Sequence, residues 1–170
     1  MTQNEIQIQL DRTSAMLEEA RGLFEKSSFD DAERLALEVV ELLEPMMERE
    51  DLGDESDTTS LKFTGISNLA HAYNRLNVIS INIGAYPRAL QQAERSLAYS
   101  ERVGNSVRIA LLLGNIGIVY LRLGDCEKAL DYYHKALPIL EELGNQKGMA
   151  GMILNIGIVY EEMKHHEKAL

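Results

Sequence analysis

The sequence predicts an all-α fold of stacked antiparallel helix pairs, and three observations predict it. The hexamer NIGIVY is written twice, at Asn115–Tyr120 and Asn155–Tyr160, forty positions apart. Ala-Leu pairs begin at 89, 129 and 169, inside PRAL (Pro87–Leu90) and two copies of EKAL (Glu127–Leu130 and Glu167–Leu170), and keep the same step. Between these marks the apolar residues recur at intervals of three and four, the helical period. A fixed step of roughly twenty to fifty residues is the mark of a stacked-repeat architecture.

In chain order, a first copy spans about residues 8–50. In FEKSSFDDAERLALEVVELLEP (Phe24–Pro45), Phe29 takes the aromatic position before a second helix and Ala32 its small contact position. The preceding helix covers about 8–26, with Ala20 and Leu23 where later copies have glycine and tyrosine. DLGDESDTTS (Asp51–Ser60) is acidic and poor in apolar residues, and reads as a mobile linker.

The second copy covers about 61–103. Its NLAHAYNRLN (Asn68–Asn77) matches NIGIVYLRLG (Asn115–Gly124) in residue type. Asn68 to Ala89 is 21 residues whereas Asn115 to Ala129 is 14, so seven residues near Val78–Gly84 read as an insertion. A heptad added to a helix turns its face by only ~20°, which lets the first helix run on to about Ile83. Against that, VISINI is β-branched and alternating, which suits an extended segment. The longer helix is the preferred reading. In either case Ile79, Ile81 and Ile83 lack a partner in the standard repeat and are expected on a self-association or partner surface.

The third copy, about 106–143, is the most regular. Ile109, Leu112, Leu113, Ile116, Val119, Tyr120 and Leu123 line one helix face. Gly124 can take the left-handed conformation that stops a helix, and Asp125 can cap the next. A second helix follows from about Glu127 to Leu143, with Ala129, Leu130, Tyr133, Ala136, Leu137 and Leu140 inward, and LGN closes it. Mid-helix Gly117 and Gly157 each cost about 1 kcal/mol relative to alanine, so their recurrence implies a close backbone approach, with Ala129 and Ala169 at the matching contact. Tyr120 and Tyr160 fill the gap beside the turn. The fourth copy has a first helix at about 146–163, and its second helix starts where the sequence ends, at Ala169-Leu170. Ile156, Val159 and Tyr160, with Ile153, are therefore expected to await a cover, from a longer array or from another molecule such as a second copy.

The constellation Gly117, Tyr120, Gly124, Ala129 and Tyr133, of which the glycine, tyrosine and alanine recur at Gly157, Tyr160 and Ala169, resembles the tetratricopeptide repeat. The period departs from that family's usual length: forty residues, with a longer second helix, as in repeats of bacterial signalling proteins. The resemblance implies a right-handed superhelical stack of antiparallel helix pairs, an α-solenoid. It also implies that exposed positions of the first helices contact a protein or peptide partner. Carried over residue by residue, those positions are Asn68, His71, Asn74 and Arg75 in the second copy. The third supplies Leu111, Asn115, Ile118 and Arg122, and the fourth Leu154, Asn155, Ile158 and Glu162. Asn68, Asn115 and Asn155 then form a ladder of amides, each a donor and an acceptor, able to pair with the backbone of an extended peptide. The other reading is that they bond neighbouring helices and fix their register. Arg75 and Arg122 add charge for an acidic side chain or a terminal carboxylate.

Composition narrows the function further. Net charge is −10, and residues 1–60 hold 17 acidic against 5 basic side chains, a balance that argues against a nucleic-acid footprint. No run approaches the roughly 18 apolar residues of a membrane span, and MTQNEIQIQLD is no signal peptide. A single cysteine, Cys126, suits a reducing cytoplasm. There is no phosphate loop, serine elbow or Cys-His pair, and no cofactor or metal site is expected. His165, His166 and Glu167 are consecutive and fan around a helix, and His134 stands alone. The expectation is a non-catalytic interaction module that grips an extended peptide or partner helix in a concave groove, within a larger signalling or regulatory protein. The alternative is a self-assembly module that forms a homodimer through exposed helix faces.

Overall fold

The computed structural model describes residues 2–48 and 56–169. Over those residues the chain forms helices only: α1 (Gln3–Glu25), α2 (Phe29–Met47), α3 (Ser56–Asn82), α4 (Tyr86–Arg102), α5 (Ser106–Arg122), α6 (Cys126–Glu142) and α7 (Gln146–Ala169). The stops are evenly placed. Gly84, Gly104, Gly124 and Gly144 stand twenty residues apart, with φ of 74°, 62°, 78° and 62°, a region that side chains with a Cβ resist. Ser27 adopts the same conformation (φ 61°) in the α1–α2 turn without being glycine. Beyond three of these turns an N-cap side chain restarts the helix. The Oδ1 atoms of Asn105, Asp125 and Asn145 accept from the N–H of Arg108, Lys128 and Gly148 at 3.1, 3.1 and 2.9 Å.

That even spacing corrects the register expected for the second copy. α3 runs unbroken through Val78 to Asn82, and the turn at Gly84 lies forty residues before the turn at Gly124. No seven-residue insertion lies near 78–84; the extra length of α3 is at its start, where Ser56–Ser60 of the expected linker are helical. Residues 49–55 fall outside the described part. The residue equivalent to Asn115 is therefore Arg75, not Asn68, and Ile79 matches Val119 and Val159. All three of these are core residues; Ile79 is 1% exposed, so neither it nor Val159 offers the association surface expected of them. Ile83 does remain exposed and Ile81 half-buried.

A second correction concerns the end of the array. α7 continues to Ala169 without the turn expected near 163. Lys164 stands where Gly84 and Gly124 stand in the earlier pairs, and a lysine is a good helix former that avoids the left-handed region.

Consecutive helices pack in pairs, and α2, α4 and α6 each lean on the first helix of the following pair. The interiors of two pairs differ. Between α3 and α4, Asn77 donates to the carbonyl of Ala89 (2.9 Å) and Ser80 to Gln92 Oε1 (2.7 Å), all four residues being buried. Between α5 and α6, a Cβ at Gly117 would lie 2.5 Å from the Tyr133 ring, so this glycine makes room for Tyr133 rather than for Ala129. Tyr120 and Tyr132 stack there with centroids 5.5 Å apart. Gly157, in contrast, faces open space. A half-buried carboxylate ties the stack across pairs: Tyr73 and Tyr99 both donate to Glu44 Oε1, at 3.0 and 2.9 Å.

Candidate functional site

The inside of the curve follows from which helices touch. α1 meets α3, α3 meets α5 and α5 meets α7, whereas no such contact joins α2 to α4 or α4 to α6. First helices crowd together and second helices spread apart, so the first helices line the inner face. With the forty-residue register, that face carries His71, Arg75 and Val78 on α3, Leu111, Asn115, Ile118 and Arg122 on α5, and Gly151, Asn155, Ile158 and Glu162 on α7. Leu111 and Ile158 are 49% and 43% exposed, and Arg122 and Glu162 also reach solvent.

The asparagines do not form one ladder. Asn68 is buried, and its amide donates to Thr13 Oγ1 (3.1 Å), Ser14 Oγ (3.0 Å) and the Leu10 carbonyl (3.4 Å), clamping α3 to α1. Asn115 donates to Asn77 Oδ1 at 2.8 Å, joining α5 to α3, and Asn155 is half-buried on α7. Two of the three therefore set helix register, the second of the two readings the sequence leaves open. Asn74 is half-buried, with an Oδ1 that finds no partner among the described residues. Arg75 turns toward α1, its guanidinium 5.6 Å from the Phe24 ring centre and beside Glu18, Arg21 and Glu25. Ile118 packs half-buried against the cluster of Tyr133 and Val159, as does Ile156. Tyr160 and Leu154 are exposed on α7.

Two features near the start of α5 escape a reading by residue type. Arg108, in the first turn of α5, is 7% exposed, its guanidinium lying against His71 Nε2 with Nη1 donating to the Ser67 carbonyl at 3.5 Å. Although part of His71 meets solvent, burial of its ring, then Arg108 and Arg75, push its pKa down to about 4. A hollow of about 390 Å³ around the Gly104 turn, lined by Phe63, Ser67, Val103, Val107 and Leu143, shares Ser67 with the Arg108 contact. Phe63, Val103 and Leu143 are forty residues apart, which the sequence does show. Arg108 is a lone cation at the head of the apolar run IALLLGNIGIVY, and the sequence alone gives it no more weight than a solvated helix start.

A tetratricopeptide-repeat family model matches residues 67–142 and again 108–170. In fold the chain is similar to the C-terminal TPR-containing domain of an FK506-binding protein of Plasmodium falciparum, at TM-score 0.67 and 17% identity over 99% of this chain and 97% of that one. BtubC (BKLC) from P. vanneervenii is similar at TM-score 0.54 and 19% identity, over 93% of this chain and 66% of that one. So is a signal-transduction ATPase with numerous domains and a tetratricopeptide-repeat sensor from Pyrococcus horikoshii, at TM-score 0.58 and 20% identity. This chain aligns over 98% of its own length and spans 29% of that protein. No curated protein matches the chain by sequence. The right-handed superhelical stack of helix pairs is the architecture these structures share with it.

Proposed function

Because the chain belongs to the tetratricopeptide-repeat family, whose domains are typically non-catalytic and bind other proteins, we propose that it grips an extended segment or a helix of a protein partner along α3, α5 and α7. The observation that carries this reading is the row of exposed apolar residues, Leu111 and Ile158, set among Arg122, Asn155 and Glu162 on the inner face. Apolar side chains left uncovered beside polar ones mark binding surfaces. The partner's backbone meets Asn155 and its side chains meet Leu111 and Ile158, while Asn68 and Asn115 serve the scaffold. A place within a larger signalling or regulatory protein is part of the proposal, by analogy with the Pyrococcus protein in which such a region is the sensor.

The test is selection of binders from a random dodecapeptide library on the full chain, followed by anisotropy titration of the labelled winners. Leu111→Arg and Ile158→Asp are each expected to weaken binding at least about tenfold, or ~1.4 kcal/mol. Binding that ignores both changes and responds instead to Glu41→Arg on the outer face of α2 would end the proposal.

A specific observation also favours self-association. Ile153, Leu154 and Tyr160 are exposed together on α7, whereas their counterparts forty residues earlier, Leu113, Gly114 and Tyr120, are buried or half-buried. In this second reading a second copy covers that face of α7. Sedimentation velocity over a concentration series, with Leu154→Lys as control, decides it; a strict monomer at high concentration removes it.

A further inference from the structure

Two small residues on α7 raise a question that packing inside the chain does not answer. A glycine in mid-helix weakens the helix, and Gly117 does so to make room for the Tyr133 ring. Gly157, forty residues on, weakens α7 in the same way, yet a Cβ there would meet no neighbouring atom within 4 Å. Ala150 is likewise exposed, although its counterpart Ala110 is fully buried. Around them Ile153, Leu154 and Tyr160 are each more than half exposed. Ala150, Ile153, Gly157 and Tyr160 follow one another at intervals of three and four, so they form one stripe along the helix, small and large in alternation. Lys147, Leu154 and Glu161 run beside it at steps of seven.

We propose that this stripe is the contact of a two-fold dimer, in which α7 of one copy runs antiparallel to α7 of a second. The proposal deepens the self-association reading above and rests on it. A dyad level with Asn155 sets Ile153 against the second copy's Gly157, and Tyr160 against the second copy's Ala150. Each large side chain meets a small one, and each contact occurs twice, as a two-fold interface requires. Leu154 meets its own twin near the axis. Charge selects the antiparallel direction. It brings Lys147 within a helical turn of the second copy's Glu161, whereas a parallel pair sets lysine on lysine and glutamate on glutamate. Head-to-tail stacking would also cover the face, but the far end of the array does not suit it. Among the described residues α1 exposes one large apolar side chain, Ile8, set among Gln7, Asp11 and Arg12. Assembly therefore closes at two copies instead of growing into a fibre. Ile158 lies off the stripe, on the inner face, and is left free.

Sedimentation velocity of the full chain and its variants over a concentration series is the test. The unaltered protein is expected to dimerise with a Kd on the order of 10 μM, the range of a small interface. Gly157→Leu fills the notch and should weaken the dimer at least about tenfold. The fold is spared, since the position is open in a single copy and leucine is the better helix former. Ile153→Ala should weaken the dimer as well, by loss of the large member. The double variant, Ile153→Ala with Gly157→Leu, exchanges large and small and should return the Kd to within about threefold of the unaltered value. That rescue requires residue 153 to face residue 157 of the second copy. A dimer indifferent to Gly157→Leu, or one that the double variant fails to restore, overturns the pairing and leaves self-association standing. A strict monomer at high concentration removes both.

Discussion

The α3–α4 and α5–α6 pairs share helix spacing, turn glycines and a forty-residue register, yet they are held together by opposite chemistry. At one pair of equivalent positions the first has Asn77 and Ala93, and the second Gly117 facing Tyr133. At another, Ser80 donates to Gln92 where Tyr120 stacks on Tyr132. Large against small is conserved while the large member changes sides, and a hydrogen bond replaces an aromatic contact. What the repeat fixes is therefore the volume between two helices, to be filled by any complementary pair. Interiors are packed too densely for it to be otherwise.

The sharpest way to break this comparison is to transplant one interior into the other. Tyr133→Ala empties a fully buried ring and is expected to cost about 3–5 kcal/mol in urea unfolding. Gly117→Asn drives a side chain into that ring and should cost about 1–3 kcal/mol. The double variant rebuilds the Asn77–Ala93 arrangement, with residue 117 able to donate to the Ala129 carbonyl. Its loss should fall short of the sum of the singles by about 1–3 kcal/mol. Simple additivity would show that the two interiors are not interchangeable.

A smaller effect sharpens the polar side of the comparison. Asn77→Ala takes the side-chain donor from the Ala89 carbonyl and leaves the Asn115 amide without its partner. The expected loss is about 1–3 kcal/mol by the same measurement, since an unmet buried polar group keeps its full desolvation cost. No loss would mean the amide merely fills space. The smallest effect concerns what all pairs share. Ser27→Gly relieves a strained turn and should raise the urea midpoint by an amount equivalent to about 0.5–1 kcal/mol. An unchanged or lowered midpoint would show that the Ser27 conformation is not costly.

Much of the fold was legible because glycine turns and apolar spacing are written plainly. The third copy's helices were expected at 106–123 and 127–143 and lie at 106–122 and 126–142. The second copy misled for the reason the comparison exposes. Its interior is polar, so RLNVISIN hides the apolar pattern, while NLAHAYNRLN imitates NIGIVYLRLG seven residues out of register. The turn glycines, whose positive φ no residue type mimics cheaply, carry the true register, and Gly84 was the signal to follow. The site was less legible still. Whether Asn68 meets a ligand or Thr13 depends on a helix 55 residues away in sequence, which no local pattern encodes. The same holds for Arg108 and His71, 37 positions apart.

Contact along the inner row and separation along the outer one give this arc a tight seam and a slack rim. Such an arc can widen or narrow by pivoting on its seam, at little cost to packing within each pair. The bonds from Asn68 to Thr13 and from Asn115 to Asn77 cross the seam and set how far it yields. Under the proposed function, the same lining would close around guests of different girth, much as a spring clip does.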